Sequence, residues 1–146
     1  MVLKLIVHNS SEYDQMLHLR IHTLLQPIGV PASYIIRENE SNDILIGAFE
    51  ENEIIGCCVL SPKNDQVLQL RQMAVRKDYQ GKHTGSAIVC FAEKTAKEKG
   101  YRIIMMHARD AVLDFYSKCG YQIDGDQFFE VGIAHHRMKK SLEDNN

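Results

Sequence analysis

The chain has 146 residues and a mass of 16.7 kDa, the size of one domain around one hydrophobic core. Its 45% hydrophobic and 25% charged residues exclude intrinsic disorder, collagen-like repeats and low-complexity scaffolds. With 17 Lys and Arg against 19 Asp and Glu, a formal charge of -2, no overall positive field gathers a phosphate backbone, and nucleic acid is not an expected partner.

Val2, Leu3, Leu5 and Val7 alternate with polar residues and predict a first strand. The same segment has no basic opening, extended apolar stretch or small-residue cleavage site. No apolar run approaches the roughly 20 residues needed to span a bilayer, so a cytoplasmic chain away from membranes is expected. Ser10 or Ser11 caps a helix whose apolar stripe runs Tyr13, Met16, Leu17, Ile21 and Leu24, with Arg20 inside it. Gln26 to Asn42 reads as irregular, with one helical turn near Ala32 to Arg37, and is a candidate movable loop.

Ile44 to Phe49 and Ile54 to Leu60 form a hairpin about Glu50 to Glu53, and Val67 to Val75 adds a third antiparallel strand. After the polar stretch Lys77 to Gly85, a helix buries Ile88, Phe91, Ala92 and Thr95 and stops at Gly100. Ile103 to Met106 is continuously apolar, as in a strand buried on both faces, and completes a βαβ unit. Val112 to Lys118 predicts a short helix ended by Gly120. Tyr121 to Ile123, Phe128 to Phe129 and Ile133 to Met138 supply closing strands, and the tail after Lys140 is expected to fray. The prediction is an α+β fold in one domain, residues 1–146. Its mixed sheet has six or seven strands, antiparallel in the N-terminal half, with helices on both faces. Cys57, Cys58, Cys90 and Cys119 lack C-x-x-C spacing and read as reduced, mostly buried thiols, the adjacent pair pointing to opposite faces.

The strongest local signal is Gln80-Gly81-Lys82-His83-Thr84-Gly85, between a strand and a helix. There the unsatisfied N–H groups of the first helical turn converge and, with the helix dipole, suit a pyrophosphate. An ordinary strand-to-helix connection has the same length, so the loop alone does not decide.

The order of motifs resembles the GCN5-related N-acetyltransferases. It comprises the strand Leu70-Arg71-Gln72-Met73-Ala74, the Gln80 to Gly85 loop (family form Q/R-x-x-G-x-G/A), Ala108-Arg109, Phe115 to Tyr121 and the ending Ala134-His135-His136-Arg137-Met138. The sequence looks closest to a small bacterial branch that includes glyphosate acetyltransferases. It departs from the pattern at His83, where the loop has glycine, and at Ala134, where a proline precedes the terminal histidine. The resemblance implies acetyl-CoA as co-substrate and no metal. The cofactor would be held by Met73, Ala74 and Val75, by Gln80, Gly81, Lys82, His83, Thr84, Gly85 and Ser86, and by Phe115. Tyr116 would protonate the leaving thiolate and His135 would accept a proton from the acceptor amine. Neighbouring strand residues face opposite ways, so His136 is not expected beside His135. A metal site of His107, His135 and a cysteine lacks ligand spacing. A homodimer is implied by family analogy.

Arg20, Arg71 and Arg109 form the acceptor reading. Buried guanidinium groups are costly without an anion, and Arg pairs carboxylate or phosphate through two parallel hydrogen bonds. A small amine with an anionic group is therefore the expected acceptor, against internal ion pairs with Asp110, Asp114 or Glu130. Two other readings stand beside this one: acetylation of protein lysines or N-termini, and a catalytically silent acyl-CoA sensor.

Overall fold

In the computed structural model, which describes residues 1–143, β2 (Ile44–Glu50), β3 (Glu53–Pro62) and β4 (Val67–Val75) form the expected antiparallel meander. β1 (Val2–Leu5) borders β2. β5 (Ile103–Arg109) joins β4 in parallel and pairs β8 (Ile133–Ser141) antiparallel along its whole length. Among the described residues the sheet has eight strands where six or seven were expected, because β6 (Gln122–Ile123) and β7 (Phe128–Glu130) both line β8.

Two cores follow from the two faces of the sheet. On one, α1 (Ser11–Arg20) lays Tyr13, Met16 and Leu17 over Leu45, Phe49, Cys57, Val59 and Ala74. On the other, Ile88, Val89, Ala92 and Ala96 of α2 (Thr84–Glu98), with Tyr116 of α3 (Leu113–Lys118), meet Leu68, Leu70, Ile104, Met106 and Met138. Cys57 and Cys58 enter opposite cores, as strand alternation requires. Cys90 departs from the expected burial, since it lies on the solvent side of α2.

Three further expectations are corrected. α1 continues through a π-helical turn, Ile21–Leu25, whose extra residue rotates the stripe so that Leu25 is buried and Ile21 and Leu24 are half-buried. β5 is fully buried only at Ile104, Met106 and Ala108, because the α1 core covers β2 to β4 and leaves the other face of β5 open. Leu142 is 6% exposed and its N–H bonds Arg102 O at 2.8 Å, so the chain stays anchored past Lys140, and residues 144–146 lie outside the described residues. Among the described residues no helix is long and apolar enough to cross a membrane.

The stretch 26–42 is built from short 3-10 turns, the last being Arg37–Glu40. That turn delivers Glu40 into the α1 core. Its carboxylate takes Arg20 Nη1 at 2.9 Å and Nη2 at 2.6 Å, and Tyr13 Oη at 2.7 Å. Arg20 is 0% and Glu40 3% exposed. Burial opposes charge on Glu40, but the hydrogen bonds from Arg20 and Tyr13 outweigh it and hold the carboxyl below its ordinary range.

Removing one partner strands a buried charge, at a cost of about 3 to 5 kcal/mol. Urea midpoints should therefore fall strongly for Glu40→Gln and for Arg20→Met, and less for the Arg20→Met/Glu40→Leu double variant. Because the folded-state pKa of Glu40 is depressed, its contribution is complete above the ordinary value of 4.5 and is lost as pH falls through the folded value. The double variant should lack this part of the acid sensitivity.

Candidate active site

The loop before α2 turns on two left-handed residues, Gly81 (φ 75°) and His83 (φ 65°). His83 thus occupies a conformation that glycine adopts freely, and its exposed side chain makes no cap for the helix. The first helical bond runs from Ala87 N to His83 O at 3.1 Å, so the N–H groups of Thr84, Gly85 and Ser86 have no acceptor within the helix. Ser86 Oγ bonds back to His83 O at 3.0 Å and Thr84 is 4% exposed, which fixes this turn. Lys82 Nζ lies 5.6 Å from the Tyr79 ring centre. A Cβ on Gly85 would stand 3.1 Å from Phe115 Cζ, so the glycine admits the α3 ring beside the end of α2.

Beside this turn the sheet opens. β4 and β5 pair only from Val67↔Ile103 to Leu70↔Met106. On its other side β4 meets Val59 at Arg71 and Cys57 at Ala74, leaving Gln72 and Met73 opposite the single Cys58. Gln72 takes φ 53°. Met73 therefore has no register partner in either ladder. Val75 is not free in the same way, because its carbonyl accepts Gln80 Nε2 at 2.9 Å.

Tyr116 lies on the α2 face, 6% exposed, with its ring against Phe115 and Tyr121. Burial raises its pKa, so the phenol stays protonated. Among the described residues its hydroxyl has no hydrogen-bond partner and no fully buried side-chain polar atom lacks one, so that oxygen reaches accessible space.

His135 lies on the α1 face. It pairs across the sheet with Arg109 and Phe128 and is 4% exposed. Nδ1 donates to Ile133 O at 2.7 Å, which leaves Nε2 as the lone-pair nitrogen of the neutral ring, 3.8 Å from Glu130 Oε2. Glu130 Oε1 takes His107 Nδ1 at 3.1 Å, and Phe128 stacks on His135 with centroids 5.6 Å apart. Beyond them a cavity of about 310 Å³ is lined by His107, Asp124, Gly125, Asp126, Phe128 and Arg137. His136 points to the other face, Nδ1 to Asp110 Oδ1 at 2.7 Å. Among the described residues no group of three or more His, Cys, Asp and Glu is arranged to hold a metal ion.

The three arginines separate. Arg20 is enclosed by Glu40, with Nε on Gln72 Oε1 at 3.2 Å, and is withdrawn from the expected acceptor set because its charge is already matched internally. Arg71 stands half-exposed, 3.7 Å from Asp43 and 3.1 Å from Ser61 Oγ. Among the described residues, Arg109 Nη2 donates only to Leu24 O, at 3.4 Å. The expected internal partners Asp110 and Glu130 bind histidines instead.

The model of the acetyltransferase (GNAT) family matches residues 13–121. The chain belongs to this family. "Probable N-acetyltransferase 14" of Xenopus tropicalis is 30% identical over 86 residues, 56% of this chain and 42% of that protein. "Uncharacterized protein YyaT" of Bacillus subtilis is 35% identical over 77 residues, 53% of this chain and 52% of its own. The chain thus spans about half the length of these curated relatives. Solved structures share the fold over nearly full length. One from Lactobacillus plantarum has a TM-score of 0.87 at 21% identity, covering 98% and 100% of the two chains. An aminoglycoside 6'-N-acetyltransferase complexed with coenzyme A has 0.84 at 17%, covering 100% and 99%. A GNAT protein of Elizabethkingia anophelis with acetyl-CoA bound has 0.75 at 20%, covering 96% and 97%.

Within this GNAT chain, sequence reasoning missed Glu40, Gln72, Glu130 and Phe128. Glu40 lies 20 residues from Arg20 in an irregular segment, and no periodicity marks it. Phe128 and Glu130 alternate in a short strand, and that spacing was the only available signal.

A left-handed non-glycine residue costs on the order of 1 kcal/mol. His83→Gly should therefore leave thermal stability unchanged or raise it by up to about 1 kcal/mol, as read by calorimetry, although the helix loses nothing else at that position.

Proposed function

We propose that the chain is an acetyl-CoA-dependent N-acetyltransferase that transfers acetyl directly to the primary amine of a small metabolite carrying an anionic group. The observation that carries this reading is the opening between β4 and β5. It has the orphan N–H groups of α2 and the Tyr116 phenol on one side and His135, Arg71 and Arg109 on the other.

The residues fit such a co-substrate. Gly81 to Ser86 offer main-chain donors and the positive end of a 15-residue helix to a pyrophosphate, Lys82 adds charge, and the Gly85–Phe115 approach provides an apolar wall. Bound acetyl-CoA supplies an acetyl group activated as a thioester. The N–H of Met73, a residue with no register partner in either ladder, is the donor for the developing oxyanion, an interaction worth a few kcal/mol when prearranged. Tyr116 holds a proton for the departing thiolate. His135 Nε2 accepts the proton of the acceptor ammonium, beside a carboxylate that leads through His107 toward solvent. Arg71 and Arg109 hold the anionic group of the acceptor. The narrower likeness to the glyphosate acetyltransferase branch is supported by the same two arginines and is weakened by the enclosure of Arg20. The resemblance also implies a homodimer, which sedimentation of the purified chain tests.

Acetyl-CoA at about 100 times its Kd should add roughly 2.7 kcal/mol, a rise of about 5 to 10 °C in Tm. With a panel of amino acids, amino sugars, polyamines and peptides, release of CoA thiol should be fastest for an amine bearing a carboxylate or phosphate. A polyamine or peptide as best acceptor would overturn the substrate class, and binding without thiol release would favour the sensor. Tyr116→Phe and His135→Ala should each lower kcat about 100-fold or more, leaving the affinity for acetyl-CoA near that of the wild type. Arg71→Ala and Arg109→Ala should raise the acceptor KM far more than the acetyl-CoA KM.

A further inference from the structure

The proposed oxyanion donor sits next to left-handed backbone inside a strand. Gln72 is a non-glycine strand residue at φ 53°, a region that L side chains enter at a cost. It is held there from two directions. Its side-chain carbonyl accepts Arg20 Nε at 3.2 Å, and its main-chain carbonyl faces the Cys57 thiol at 3.8 Å. Arg20 is itself immobile, clamped through both terminal nitrogens by Glu40, which Tyr13 also bonds. Burial pushes the Cys57 thiol up to about 12, so it remains a donor.

We infer that the Arg20–Glu40 pair is a positioning device: it fixes Gln72 in the left-handed conformation that leaves Met73 without a register partner in either ladder and directs its N–H into the opening between β4 and β5. Arg20 and Glu40 touch no reacting atom and act through Gln72. The ion pair joins α1 to the Arg37–Glu40 turn, and the Arg20–Gln72 hydrogen bond extends it to β4. The irregular stretch 26–42 is thereby coupled to the geometry of the bulge, although it is remote from it in sequence. The link to turnover rests on the acetyltransferase reading, whereas the hold on Gln72 does not.

The decisive comparison is Gln72→Ala against Gln72→Gly. Both remove the side-chain hook, but only glycine adopts φ 53° freely. Gln72→Ala should lower kcat at least about tenfold, with the Kd for acetyl-CoA within about twofold of wild type, because the cradle at α2 is untouched. Gln72→Gly should stay within about threefold of wild-type kcat. In the Arg20→Met/Glu40→Leu background, which removes the hook without stranding a charge, kcat should fall similarly, and adding Gln72→Gly should restore it. Glycine as damaging as alanine, an unchanged kcat in the double variant, or no restoration would each overturn the inference. A second readout is independent of activity. The φ-sensitive NMR coupling of residue 72 and the Met73 amide shift should change in the double variant and in Gln72→Ala. An unaltered coupling would refute the hold itself. A wild-type chain that releases no CoA thiol, yet shows the expected NMR changes, would refute the enzymatic reading alone.

Discussion

Strand β4 has to follow β3 while β5 has to follow β8, and those two partners diverge. The β3–β4 ladder runs from Gly56↔Val75 to Pro62↔Leu68, and the β5–β8 ladder from Ile103↔Ser141 to Arg109↔His135. Each is long and continuous apart from the bulge, so neither yields to close the gap between them. The few pairs from Val67↔Ile103 to Leu70↔Met106 are what remains in common. Main-chain groups left in such a gap need partners, and a ligand satisfies them without any special side chain. The proposed site is in this sense a property of the sheet, to which the loops would add charge and selectivity.

The cross-links of the α2 face lie away from that opening. Glu93 in α2 takes Lys140 Nζ at 2.9 Å and Tyr121 Oη at 3.0 Å, and the same Lys140 donates to Cys119 O at 2.8 Å, at the end of α3. Among the described residues, the start of α2 and the face of α3 carrying Phe115 and Tyr116 have no such ion pair, and they meet the sheet through apolar contact. The helices are thus pinned at one end and left chemically unencumbered at the other, where a polyanionic ligand has unsatisfied donors to meet. On the opposite face the Arg20–Glu40 pair has the anchoring part, and His136 with Asp110 ties the last strand to the turn before α3.

The parts of this arrangement legible in the sequence are those with short-range signatures. The strands from Ile44 to Val75 show alternation, the Gln80 to Gly85 loop sits between a strand and a helix, and the opposed directions of His135 and His136 follow from their adjacency. Arg20 was legible as an anomaly, a charge within an apolar stripe, but the sequence offers no way to tell an external anion from Glu40 as its partner. Burial energetics demand a counter-charge without specifying its source. The bulge at Gln72 was hidden for a different reason. Glycine usually marks left-handed backbone, and here glutamine adopts it because tertiary hydrogen bonds override local preference. The open face of β5 was misjudged because Ile103 to Met106 is apolar throughout, and apolar residues also line clefts.

The adjacent cysteines of β3 bear on how such a chain is assayed. Cys57 and Cys58 are sealed in opposite cores and burial keeps both thiols protonated, whereas Cys90 is exposed on α2. Reactivity toward a disulfide dye or an alkylating label requires an accessible thiolate. In a colorimetric measurement of liberated thiol, the background signal of the native protein would come from the exposed Cys90 and, more slowly, from the half-buried Cys119. The β3 pair would stay silent until the sheet unfolds, so its delayed labelling reports on global opening of the fold.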